Sequence, residues 1–223
     1  VWGDHYPADE KIASQTARNK NALLYFLTVG SCPYSAVGLA RQDCGPFFDD
    51  VEISRGWRVN PDGTDTAPTS ARFTRGDPQP TSAYGLRMQP DRTTSGRYAF
   101  VTGRLAGSGP NSYDLDGRST LQSVPIALPD APGNLTFRYI FSHGRSSASD
   151  SLRVFIEDAA NVRTLVWQKV GTSSVVGAAW RTGTAALTPW AGQSVRIVIQ
   201  ATDGGYNGLV EALIDDVRVE NPA

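Results

Sequence analysis

Between Pro7 and about Val29, Ile12, Ala13, Thr16, Ala17, Leu23, Leu24 and Leu27 recur at roughly helical spacing. Asp9 and Glu10 fall in the first turn, Arg18 and Lys20 point outward, and Gly30 ends the run. The pattern predicts one amphipathic helix, which needs a surface to lie against because its own propensity leaves it marginal. After Pro46 the period shortens to two. Alternating or β-branched runs appear at Val51–Val59, Ala71–Arg75, Tyr98–Thr102, Thr120–Leu128, Leu135–Ser142, Ser151–Glu157, Arg163–Lys169, Ala178–Ala186, Ser194–Thr202 and Leu209–Glu220. Turn clusters separate them, among them Asn60-Pro61-Asp62-Gly63, Pro129–Gly133 and Asp203-Gly204-Gly205. About ten short strands without intervening helices predict an all-β, jelly-roll β-sandwich, with Trp57, Trp167, Trp180 and Trp190 shared between core and rims. Ile156–Asn161 reads as a hairpin turn. The Pro-, Thr-, Ser-, Gly- and Arg-rich stretch Thr64–Arg97 reads as a loop wrapping the sandwich.

The organisation expected is a helix over 1–30, a connector over 31–46 and a sandwich over 47–223. In the connector, eleven residues separate Cys32 from Cys44. A disulfide there would contribute about 2–3 kcal/mol in the chain-entropy model; the other reading is two buried free thiols. The 223 residues suffice for one sandwich-sized core with an appendage.

Charge narrows the partners. Lys and Arg number 21 against 22 Asp and Glu, and the signs alternate along the chain, which argues against nucleic acid or an anionic membrane as the main partner. No apolar run approaches the roughly 20 residues of a membrane span. Val1-Trp2-Gly3-Asp4 is neither an initiator methionine nor a signal peptide, so a processed or truncated chain is expected; a secreted location and a monomeric state are further expectations.

Candidate chemistry is sparse. The histidines are His5 and His143, and neither an HExxH pair nor a G-x-S-x-G elbow occurs. His143, in Ser142-His143-Gly144-Arg145, reads as a surface imidazole. Asp114-Leu115-Asp116-Gly117 sets two carboxylates at a turn, Asp150 precedes a strand, and Glu211, Asp215 and Asp216 sit in the last strand. Together they form a candidate calcium set, since calcium takes six to eight oxygen ligands; the competing reading is that such aspartates only form turns. One of Asp215 and Asp216 must face inward and find a partner, which the sequence leaves open among backbone amides, an arginine and a metal. Asp49-Asp50 is expected to lie near this last strand. A carboxylate-pair glycosidase is a weaker reading, and Tyr84, Tyr98, Tyr113, Tyr206 and Trp190 are candidates for a sugar-stacking platform.

Two stretches together resemble a known family. His5–Ala13 with Thr16–Tyr25, followed by Ser31-Cys32-Pro33-Tyr34, resembles the closing helix of secreted bacterial zinc carboxypeptidases. Phe47–Glu52, Gly56–Thr66, Arg75–Gln79, Asp114–Gly117 and Val210–Asp216 resemble the C-terminal accessory sandwich of the same enzymes. The resemblance implies a non-catalytic accessory domain that stabilises or targets a peptidase removing C-terminal amino acids, with that peptidase domain, an extracellular protein or a glycan as partner. Zinc would belong to the catalytic domain alone, because this chain has no H-x-x-E motif and no glutamate before Glu10. The chain by itself is then expected to hold no catalytic residue. The alternative is a freestanding carbohydrate-binding or adhesion module.

Overall fold

The computed structural model describes residues 45–205 and 208–221, which belong to one of the two compact units of the chain, Cys44–Ala223. The expected helix, the Cys32–Cys44 bridge, His5 and Tyr206 lie outside the described residues. The chain runs through β1 (Phe47–Asp49), β2 (Arg58–Val59), β3 (Phe73–Gly76), β4 (Thr81–Ala83), β5 (Leu86–Gln89), β6 (Ala99–Thr102) and β7 (Gly117–Gln122). It continues through β8 (Ile126–Ala127), β9 (Asn134–His143), β10 (Ser151–Glu157), β11 (Arg163–Val170), β12 (Arg181–Ala186), β13 (Ser194–Asp203) and β14 (Val210–Val219). Two antiparallel sheets face each other as a jelly-roll sandwich. The first has the order β12-β9-β14-β6-β3 with β1 also on β14, and the second β11-β10-β13-β7-β2 with β8 also on β13.

Period-two burial builds the core. Leu152, Val154 and Ile156 from β10, Ile197 and Ile199 from β13, Leu135 and Phe137 from β9, and Ala212 and Ile214 from β14 all turn inward and are buried. Trp167 closes one side edge-on to Phe137 and Tyr139, with ring centroids 5.1 and 4.6 Å away. Aromatic pairs at such angles add to the area they bury. Gly183 is the register partner of Phe137, and a Cβ there would fall within the ring of Phe137. Gly183→Ala is therefore expected to overpack the edge and cost about 1–3 kcal/mol, read from the urea midpoint.

Strand β14 organises the first sheet. One of its edges pairs with β9 along its length; the other pairs with β6 at Leu213 and Ile214 and with β1 from Val217 to Val219. In the interval the register shifts and Asp216 takes a positive φ of 46°, a β-bulge where the edge changes partner. The proximity of Asp49-Asp50 to the last strand is thus realised by β1. The run Val51–Val59 is not one strand, because Asp49 Oδ1 accepts the Val51 N–H at 2.8 Å and holds Val51 at φ 61°.

The stretch Thr64–Arg97 is more than a wrapping loop: it carries β3, which pairs with β6 at the edge of the first sheet, and a hairpin, β4–β5, turned at Tyr84-Gly85. Its start is pinned by buried Asp65, which accepts the Thr120 N–H and hydroxyl at 2.7 Å each. The hairpin and residues 172–180 cover the outer face of the first sheet. Ala99, Val101, Ile140 and Leu213 are buried there with Trp180 packed against them. Trp180 Nε1 donates to Arg92 O at 3.0 Å, and Ser142 Oγ donates to Met88 O. The second sheet carries its own outward row on the opposite side. No helix among the described residues is long and apolar enough to cross a membrane.

Candidate functional site

Outward positions on the second sheet converge at one end into a groove of about 490 Å³. Strand register sets its floor: Arg58 pairs with Gln122, and Glu157 pairs with Arg196 on one side and Arg163 on the other. Pro61, Asp62 and Asn161 complete the lining from adjacent turns. The last of these belongs to the β10–β11 hairpin turn, where Asp158 Oδ1 accepts the N–H groups of Ala160 and Val162 at 2.9 Å.

The side chains hold one another in place. Glu157, only 4% exposed, accepts from Gln122 Nε2 and Arg163 Nε at 2.7 Å each. Arg163 also grips Asp62 with both terminal nitrogens, at 2.6 and 3.1 Å. Arg196 donates to Ser123 O at 3.1 Å and Arg58 to Pro61 O at 3.3 Å. Charge-assisted and bidentate bonds of this kind fix planar groups in direction as well as distance. Two residues before Glu157, on the same face of β10, half-buried Phe155 lies between Leu165 and Val198 in register. Two further back is Arg153, whose Nε is buried and has no hydrogen-bond partner among the described residues.

Tyr84, 60% exposed, stands on the β4–β5 turn; Tyr98 lies under Arg75, 4.4 Å from ring centroid to guanidinium; Trp190 packs on the core. These aromatics, with Tyr113 in the loop before β7, are dispersed instead of forming a platform. His143 is the buried last residue of β9, its Nδ1 2.7 Å from Gly144 O and its ring 5.4 Å from that of Phe141. The surface imidazole expected from the sequence is thus corrected: His143 faces inward beside Phe141 at the strand end.

The acidic residues separate into two places. Asp114 acts electrostatically on both Asp203 and Glu211, and Asp203 is hydrogen-bonded to Asp150. Burial pushes Asp114 up to about 6, with help from the nearby Asp116 charge. Asp203 is pushed up to about 7, again mainly by burial. Burial and the Asp114 charge hold Glu211 well above the usual carboxylate range. In Asp150, burial is outweighed by bonds from Ser146 and the Gly204 and Ser147 amides, and its carboxyl titrates below the usual range. Asp116 is exposed.

Asp215 and Asp216 sit at the β14 bulge. Asp215 Oδ2 accepts from Thr94 N and Oγ1 at 2.9 and 2.7 Å, and Asp216 accepts from Ser95 Oγ and Thr94 Oγ1 at 2.6 and 2.8 Å. The partner of the buried carboxylate is thus a hydroxyl-bearing loop. Arg138, its register partner on β9, instead donates to Thr182 Oγ1 at 2.7 Å. Burial, with Asp216 alongside, pushes Asp215 up to about 7. Among the described residues no three His, Cys, Asp or Glu side chains converge as a metal centre.

The sequence reading missed the groove and also Thr81, whose hydroxyl donates to Glu211, and Gln89, whose N–H donates to Thr81. Only the alternation Arg153, Phe155, Glu157, with an aromatic on a polar face, signalled it. No protein-family model matches the chain. No curated protein matches it. Among solved structures the chain is similar to the carbohydrate-binding module TmCBM61, solved with β-1,4-galactotriose, at 14% identity, TM-score 0.44, over 74% of this chain and 88% of that one. It is similar to the K3 cleaved adhesin domain of Lys-gingipain from Porphyromonas gingivalis at 18% identity and TM-score 0.46, over 79% and 99%. A xylan-binding domain of carbohydrate-binding module family 22 aligns at 14% identity and TM-score 0.40, over 81% and 97%.

Proposed function

We propose that this sandwich is a non-catalytic binding module that takes a saccharide chain in the groove on its second sheet. The observation that carries the reading is the mutually fixed set Asp62, Arg163, Glu157 and Gln122 lining an outward cavity. A sugar hydroxyl donates and accepts at once, and neighbouring hydroxyls suit planar groups that offer paired donors and acceptors. Phe155 on the adjoining row supplies an apolar surface for the C–H face of a sugar ring. The lining is too polar for a lipid, and three arginines against two carboxylates leave too small an excess for a polyanion.

Affinity electrophoresis of the whole chain through xylan, galactan, mannan and mixed-linkage glucan tests this. At least one polymer is expected to retard it, and Arg163→Ala to weaken that retardation tenfold or more. Unretarded migration in all of them would refute the reading. The resemblance to secreted zinc carboxypeptidases suggests what such a module would be attached to, in a secreted setting; on that reading this chain, supplied with zinc, releases no C-terminal amino acid from peptides.

A further inference from the structure

Glu211 projects from β14 toward the covering hairpin, beside its register partner Ser142. It is 1% exposed, and its Oε1 accepts from Thr81 Oγ1 of β4 at 3.4 Å. Its Oε2 is buried without a hydrogen-bond partner among the described residues. Leu115 donates its backbone N–H to Val210 O at 3.0 Å, which brings its neighbour Asp114, a second carboxylate, to the stretch of β14 that carries Glu211. On β5, fully buried Gln89 donates its backbone N–H to the same Thr81 Oγ1 at 3.1 Å. Its side-chain amide nitrogen is committed to two carbonyls, Gln79 O at 2.7 Å and Arg104 O at 3.0 Å. That fixes which end of the amide is oxygen, since the reverse assignment would set three acceptors against each other. Gln89 Oε1 is therefore a second buried oxygen with no partner among the described residues.

Arg104 follows Gly103, against whose Cα the Tyr113 carbonyl packs so closely that a Cβ has no room. The Tyr113–Asp114 backbone thereby runs beside the carbonyl that anchors Gln89. One small region thus gathers a carboxylate oxygen and an amide oxygen, both buried and unsatisfied, a shared hydroxyl and a second carboxylate. Buried polar atoms are nearly always paired, and a set made of oxygen acceptors is satisfied by a hard cation. Calcium accepts neutral amide and hydroxyl oxygens with carboxylates in irregular shells of six to eight, whereas magnesium demands a near-ideal octahedron. With only two carboxylates, such a site falls short of a cluster of three acidic, histidine or cysteine ligands.

We propose that Glu211, Gln89, Thr81 and Asp114 bind one calcium ion, which ties the β4–β5 hairpin to β14. The proposal does not depend on the saccharide reading.

The test uses the whole 223-residue chain, titrated calorimetrically with calcium or magnesium and digested with chymotrypsin, whose target Tyr84 stands exposed at the hairpin tip. Calcium is expected to bind one to one, to raise the unfolding midpoint above its value in EDTA, and to slow cleavage after Tyr84; magnesium at equal concentration does so at least tenfold more weakly. Asp114→Asn and Glu211→Gln are each expected to weaken calcium binding tenfold or more. No calcium heat together with an unchanged midpoint overturns the proposal and leaves a water to satisfy the two oxygens. Undiminished affinity in Asp114→Asn, or in Glu211→Gln if it folds, overturns it as well.

Discussion

Asp49→Ala is expected to lower stability more than any other single change considered. Its carboxylate, fully buried at the end of β1, accepts the Val51 N–H at 2.8 Å and the Trp57 indole N–H at 2.7 Å, with Arg55 Nε 3.4 Å away. Alanine leaves the buried Val51 N–H and the half-buried Trp57 indole N–H without this acceptor, at a cost of about 1–3 kcal/mol for the buried donor and less for the other. It also releases Val51 from a positive φ that a β-branched residue does not adopt unaided. Trp57 packs against Phe100 and Phe47, with centroids 5.2 and 6.4 Å away, so the loss extends to the core beneath β1. Urea unfolding followed by tryptophan fluorescence should show a fall of about 3–5 kcal/mol, comparable to breaking a buried ion pair. Asp49→Asn, which keeps one acceptor, should fall between. A change under about 1 kcal/mol would mean that water replaces the carboxylate, contrary to its burial.

The second large effect is on pH. In the folded chain Asp203 and Asp215 titrate at about 7, both mainly through burial, against about 3.9 for an unfolded aspartate. Between those values the folded state binds more protons than the unfolded one, so stability falls as pH rises. The contribution is complete below about pH 4 and is lost as pH passes through about 7. A shift of about three units corresponds to at most about 4 kcal/mol per group. Asp150 acts oppositely, since its depressed value withdraws stability only as pH falls below the ordinary carboxylate range. In EDTA the thermal midpoint is therefore expected to be several degrees higher at pH 5 than at pH 8. Asp215→Asn should remove a large part of the difference, because the amide does not ionise at the crowded bulge. Equal midpoints at both pH values would show that these carboxyls are solvated enough to titrate normally.

Much of the sandwich was legible because core strands carry their own signature. Ser151–Glu157 was bounded correctly: it lies between β11 and β13, and each inward residue is apolar. Legibility failed where a side chain overrides the pattern. Val51–Val59 has the composition of a strand, but Asp49 turns the chain at its first residue. The β4–β5 hairpin hid within a polar stretch because its strands are three and four residues long. The groove was invisible for a different reason: Arg58, Glu157 and Arg196 are far apart in sequence and meet only through the register of four strands. The acidic turns were visible as residues but not as a constellation; Asp215 and Asp216 proved to hold a loop, and Asp114 and Glu211 came together through the fold.

The placement of β1 has a mechanical consequence. Phe47, where the strand begins, pairs with Val219, where β14 ends, and Asp49 pairs with Val217. Tension applied between residues 45 and 221 would load these hydrogen bonds one after another, as in opening a zipper, instead of shearing them together. The bonds nearest the pulled ends yield first, and the load then reaches the Asp49 anchor. The sandwich is therefore built to give way at a defined seam, shedding a short strand at low force while the sheet bearing the groove stays intact.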